Sequence, residues 1–185
     1  MFHLFASSLT TLFVAIGPVE VASMFLALTA GMDAPHRRKL AILSATTALG
    51  VLLAFALGGI QLLELIGVGL PAFRTAGGVL LLMVAADLLL AQHSAISSIT
   101  STEEHEAKIQ KTDIAIFPLA IPLTAGPGSM TAMVLLMGKA HTLPQTGVVI
   151  GALVLMIFVT FLSMLLSDRL MKVLGITGAN VIARV

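Results

Sequence analysis

Apolar residues run along this chain in stretches of about 20 or more, and polar residues fall in short clusters between them. A helix that crosses a bilayer needs about 20 mainly apolar residues. Residues 4–30 form the first such stretch, interrupted at Gly17-Pro18. A basic turn at 31–39 follows, holding Asp33, Pro35, His36, Arg37, Arg38 and Lys39. The second stretch, 40–63, carries no charge, and a turn at 64–71 contains Gly67 and Gly69. The third runs over 74–92. Residues 93–113 are rich in Ser, Thr, Glu and Lys and read as a solvated linker. The fourth stretch, 114–138, contains Pro118, Pro122 and Gly126-Pro127-Gly128; the fifth is 144–167, and a tail begins at Asp168.

Composition removes the soluble alternatives. The 185 residues are 58% hydrophobic and 10% charged, with mean hydropathy +1.07. A soluble domain carries roughly 25% charged residues, so lipid must solvate most of this surface. The net charge of +1 suggests no nucleic-acid partner. With no cysteine there is no disulfide and no thiolate metal site. No Lys or Arg precedes the first apolar run, and Pro18 and Glu20 interrupt it, so it reads as a retained helix and not a cleaved signal. Lys and Arg gather in the 31–39 turn, the linker (Lys108, Lys111) and the tail (Arg169, Lys172), against Arg74 and Lys139 on the other side. The positive-inside bias makes the richer side cytoplasmic and the N-terminus periplasmic.

The chain also repeats itself. Gly17-Pro18 recurs 109 residues on as Gly126-Pro127, and the same shift lays Met24 over Met133 and Glu20 over Ser129. A glycine-rich turn and an arginine follow in each half: Gly67 and Gly69 before Arg74, Gly175 and Gly178 before Arg184. This divides the chain into a first repeat (1–92), the linker (93–113) and a second repeat (114–185) that holds two helices and the start of a third. An odd number of spans per repeat inverts the second half, an arrangement many secondary transporters use. The expected fold is therefore an all-α integral membrane protein. It has two inverted three-helix repeats with broken first and fourth helices, and a sixth helix missing or incomplete.

The breaks carry the chemistry. Proline removes a backbone donor and glycine lets the chain leave helical angles. Polar groups freed in hydrocarbon are costly unless protein, water or ligand meets them. Half-helix N-termini suit a carboxylate, and loose carbonyls suit an ammonium group or a cation. The residues expected to bind substrate are Gly17, Pro18, Glu20 and Ser23 at the first break, and Thr124, Ala125, Gly126, Pro127, Gly128 and Ser129 at the second. Thr131 adds another hydroxyl nearby. These small groups fit a small zwitterion better than a bulky drug. Glu20 is an intramembrane carboxylate, by default a functional candidate; it can carry a proton, bind a cation, meet a substrate amine or cap the following half-helix. The competing reading is that the breaks only kink helices for packing.

The remaining features say less. Asp87 reads as reaching headgroups or the linker, and Gln61 and Glu64 as interfacial. Gly147-xxx-Gly151 permits close helix packing. The histidines show no HExxH spacing, and no Walker-type loop or GxSxG is present, so metal, ATP hydrolysis and serine catalysis lack support.

LFVAIGPVEVASMFLALT, GLPAFRTAGGVLLLMVA and PLAIPLTAGPGSMTAM together give the chain its resemblance to the MarC family of bacterial inner-membrane proteins, also called UPF0056 or the small neutral amino acid transporter group. The resemblance covers essentially the whole chain. It implies six spans in two inverted repeats, a sixth helix beyond Val185, and carriage of glycine, alanine and similar molecules. Many members have Asp-Pro or Asn-Pro at the first break, where this chain has Gly17-Pro18. The expected function is an alternating-access carrier, import or export, of small neutral amino acids or similar metabolites in the bacterial inner membrane. No cofactor is expected; a proton or sodium ion is the candidate coupling ion, and a homo-oligomer a candidate assembly. The alternatives are a membrane-embedded enzyme on a lipid substrate and a non-transporting regulatory subunit. Isolation of Glu20 and Asp87 from each other in sequence argues against the enzyme.

Overall fold

A computed structural model describes residues 1–29, 31–89 and 115–167. The linker at 93–113 and the start of a third helix in the second repeat lie outside the described residues. Those described are helical, with no strand among them. The helices are α1 (Phe2–Ile16), α2 (Pro18–Leu28), α3 (Ala34–Leu65), α4 (Leu70–Leu89), α5 (Ala115–Thr124), α6 (Pro127–Met137) and α7 (Leu143–Leu165). Phe2–Leu28, Ala34–Leu65 and Leu143–Leu165 are long and apolar enough to cross a membrane; α6 is apolar but shorter.

Local signals set the helix ends. The expected basic turn is only partly a turn, because α3 begins at Ala34 and carries His36 to Lys39 in its opening turns. Pro35 suits a helix start, where its missing N–H is not needed, and Arg37 N–H makes a bond to Asp33 O of 3.0 Å. Pro71 does the same for α4, which starts at Leu70 and not at 74. Gly67, at φ 73°, turns the chain between α3 and α4 through left-handed space. At 32 residues, α3 is about 48 Å long at 1.5 Å per residue, more than the roughly 30 Å hydrocarbon layer. Its charged first turns therefore extend beyond the apolar layer.

Small residues let the helices close on one another. The buried positions of α3 include Ala41, Ala45, Ala48, Leu52, Ala56, Gly59 and Leu63, steps of three and four that make one seam. That seam packs on α5, α6 and α7, while α7 also packs on α1 and α2. Leu12, Phe25, Leu52, Met133, Leu153 and Met164 are all fully enclosed at this centre. On the far side, α4 lies on α6. A Cβ on Gly77 would collide with the Thr131 methyl, and one on Gly59 with Val134. A Cβ on Gly138 would come within 2.7 Å of Leu70. Without a hydrophobic drive between helices in lipid, such close backbone approach is a main source of association.

The ends pair as alternating spans require. Arg37 Nη2 donates to Ser167 Oγ at 3.0 Å, and its guanidinium lies 5.7 Å from the centre of the Phe25 ring. The start of α3 thus meets the ends of α2 and α7. The start of α4 meets the end of α6 through Leu70 and Gly138.

Two pairs of neighbouring glycines test this packing. Gly77 and Gly59 are in tight contact, whereas a Cβ on Gly78 or Gly58 meets nothing within 4 Å. Gly77→Val and Gly59→Val should each cost about 1–3 kcal/mol through overpacking. Gly78→Val and Gly58→Val should leave the thermal midpoint in detergent unchanged or slightly raised. Equal midpoints across all four variants would contradict the packing described.

Candidate functional site

The first break is a single left-handed residue. Gly17 has φ 59° and ψ 65°, ends α1 and caps α2. Its N–H still bonds Phe13 O at 3.0 Å, and its carbonyl accepts from Val21 N–H at 3.0 Å. Pro18, buried, opens α2 with no N–H of its own. The chain therefore turns its helix axis while leaving few backbone groups unmet.

Glu20 stands in the first turn of α2, where a carboxylate complements the helix dipole. One carboxylate oxygen comes within 3.1 Å of where a Cβ on Gly17 would lie. The side chain thus folds back over the break, and it occupies space that only glycine leaves open. Glu20 is solvent-accessible and makes no hydrogen bond or ion pair among the described residues. Ser23 turns its hydroxyl inward along its own helix, donating to Val19 O at 2.9 Å.

The second break is built differently. Pro118 and Pro122 have no N–H to donate, so an ordinary ladder cannot run through α5. It winds instead as a π-helix, a form common at functional sites. At its end Ala125 N–H reaches back five residues to Ala120 O at 2.8 Å, and Thr124 Oγ1 donates to Leu119 O at 2.8 Å. Gly126 is extended, at φ −84° and ψ 173°, and Pro127 opens α6. The Ser129 hydroxyl lies 2.9 Å from Thr124 O and 3.0 Å from Gly126 O, and its proton is shared between them. Thr124, Ala125, Gly126, Gly128 and Ser129 are all buried. The hydroxyls expected to face a ligand are thus donating to backbone carbonyls, leaving their own lone pairs as acceptors.

The structure brings Thr124, Ala125, Gly126, Gly128 and Ser129 into one buried knot but leaves Glu20 accessible and outside it. Pro127 is exposed at the edge of a cavity of about 210 Å³ between α3, α4 and α6. Phe55, Gly59, Leu62, Leu63, Phe73, Met130, Thr131 and Val134 line it with Pro127 among the described residues. Of the residues expected to bind substrate, Pro127 alone lines this cavity. Thr131 was legible only as one more hydroxyl near the break; its place depends on Gly77 of α4, against which its methyl packs. Among the described residues no group of three or more His, Asp or Glu is placed to hold a metal ion.

Two variants probe the breaks. Gly17→Ala forces a Cβ into left-handed backbone and against Glu20, and should cost about 1–2 kcal/mol. Ser129→Ala takes the hydroxyl donor from the buried Thr124 carbonyl, while Gly126 O keeps the Met130 N–H at 2.9 Å, and should cost about 1–3 kcal/mol. Both are read as loss of thermal stability in detergent. Wild-type stability in Ser129→Ala would mean that the hydroxyl does not hold the break.

A family profile described as MarC family integral membrane protein matches residues 2–185. The UPF0056 membrane protein YvbG of Bacillus subtilis is 34% identical over 185 residues, covering 100% of this chain and 87% of its own length. A UPF0056 membrane protein of Methanocaldococcus jannaschii is 33% identical over 180 residues, 97% of this chain and 86% of that one. One from Aquifex aeolicus is 32% identical over 182 residues, 98% and 84% respectively. No solved structure matches the chain.

Proposed function

Because the chain belongs to the MarC family of integral membrane proteins, we propose that it is a secondary transporter, an alternating-access carrier of small neutral amino acids or similar metabolites. The observation that carries this reading is the way the two broken helices pass each other. α1 packs on α6 and α2 packs on α5. The first half of each broken helix therefore lies against the second half of the other. Two antiparallel elements interrupted near their middles give that pattern, as two inverted repeats would.

The chemistry of the breaks supports the substrate class. The N-terminal turn of α6 offers N–H groups and a partial positive charge to a carboxylate. The carbonyls and hydroxyl lone pairs of the π-wound segment offer acceptors to an ammonium group. Both sets are small and close together, which suits a short zwitterion. Glu20 tunes this site from the first turn of α2, where it is accessible to a proton or a sodium ion as coupling ion. The carrier sits in the bacterial inner membrane with its N-terminus periplasmic; the support is the cluster of basic residues at the start of α3, which meets the end of α7 through Arg37 and Ser167.

Purified protein in liposomes should exchange labelled glycine and alanine. Replacing Gly126 by Leu, Pro127 by Ala and Glu20 by Gln together should lower exchange by about tenfold or more, with membrane insertion intact. Full exchange by the inserted triple variant would sink the proposed site.

A further inference from the structure

The cavity beside α6 has two unlike ends. Most of its wall is aliphatic or aromatic: Phe55, Leu62 and Leu63 from α3, Phe73 from α4, and Val134 from α6. Its polar member is Thr131, which is only 7% exposed and makes no hydrogen bond among the described residues. The Thr131 methyl is pinned against Gly77. The side chain therefore cannot turn freely to bond its own helix, as Thr124, Ser129 and Thr160 do. A buried hydroxyl without a partner costs free energy unless something arrives to meet it. Thr131 sits one turn into α6, just past the N-terminal turn whose free N–H groups and partial positive charge favour an anionic group.

Size narrows the ligand further. A cavity of about 210 Å³ lies below the roughly 300–1,000 Å³ of drug-sized pockets. It is ample for a short hydrocarbon group. Among the described residues no Asp, Glu, Lys or Arg lines it, so none of them offers a charged ammonium a counter-ion inside.

We propose that this cavity receives the aliphatic side chain of the carried amino acid, with Thr131 at its α6 end donating to the substrate carboxylate. The inference rests on the transport reading above and adds a specificity site to it. The substrate lies along the start of α6, its ammonium outside the cavity toward the break and its side chain against Phe55 and Val134. Side-chain size is then read by the cavity, and the polar backbone common to all amino acids by Thr131.

The test is binding of glycine and of valine to the purified full chain in lipid nanodiscs, with exchange in liposomes measured beside it. Phe55→Trp fills the cavity and should weaken valine by about tenfold or more while leaving glycine within about twofold. Leu62→Phe, at the open rim, should act in the same direction and serves if Phe55→Trp does not fold. Thr131→Val should weaken both ligands alike by about tenfold, and Thr131→Ser should restore them. Equal loss of glycine and valine in both filled variants would overturn the proposal. So would unchanged binding in Thr131→Val, or a lipid chain retained in the cavity in place of valine. Binding with this pattern but no exchange would leave the site standing and remove the transport reading. Exchange with unaltered selectivity in every variant would do the reverse.

Discussion

A helix broken inside hydrocarbon must satisfy the backbone groups that the break sets free, because no water is there to do so. The rest of this structure depends on how the second break meets that requirement. Pro118, Pro122 and Pro127 remove donors, and Ala125 N–H, Thr124 Oγ1 and the Ser129 hydroxyl supply replacements to Ala120, Leu119, Thr124 and Gly126. Those four carbonyls are met, the residues around them are buried, and α6 starts as a separate helix after the extended Gly126. The same constraint explains the hydroxyls elsewhere. Thr10, Thr160 and Ser163 each donate to a carbonyl four residues back, so a polar side chain can sit in an apolar helix without an orphan proton. The Ser8 and Ser44 oxygens are fully enclosed with no partner, and Thr131, whose hydroxyl borders the cavity, also lacks one among the described residues.

With the breaks internally satisfied, the helices can approach through small residues. Glycine and alanine do this along α3, and Gly77 does it for α4. Close approach holds Thr131 in place and sets the width of the cavity next to Pro127. Packing and site are therefore one design: the contacts that join α3 and α4 to α6 also shape the space beside the second break. At the basic end, Arg37 joins three helix ends through Phe25 and Ser167. A π-wound, proline-rich segment on one side and a single left-handed glycine on the other make the two breaks mechanically unlike, although their sequences align.

What could be read from the sequence was whatever acts locally. Proline and glycine do their work on the backbone where they stand, so both breaks and the apolar helices flanking them were legible. The start of α3 was misjudged because four consecutive basic residues resemble a loop; Pro35, a good first-turn residue, was the better guide. The π winding of α5 was hidden, because two prolines forbid the ordinary ladder without saying what replaces it. The direction of Glu20 was hidden too. Its place in the chain shows a carboxylate inside an apolar run, but only the packing of α2 on α5 and α7 decides that it stays accessible. Thr131 was seen as a hydroxyl and not as a cavity wall, since Gly59 and Gly77 lie far away in sequence.

The central claim is that the second break lies at a site reachable alternately from the two sides of the membrane. The chain has no cysteine, so one placed at Gly126 is unique. The extended backbone there accepts a side chain without backbone strain. The direct measurement is labelling of Gly126→Cys by a membrane-impermeant thiol reagent, applied to right-side-out and to inverted vesicles, with and without alanine. The account predicts labelling from each side and slower labelling when alanine is present. Labelling from one side only, or from both at a rate indifferent to alanine, would contradict it.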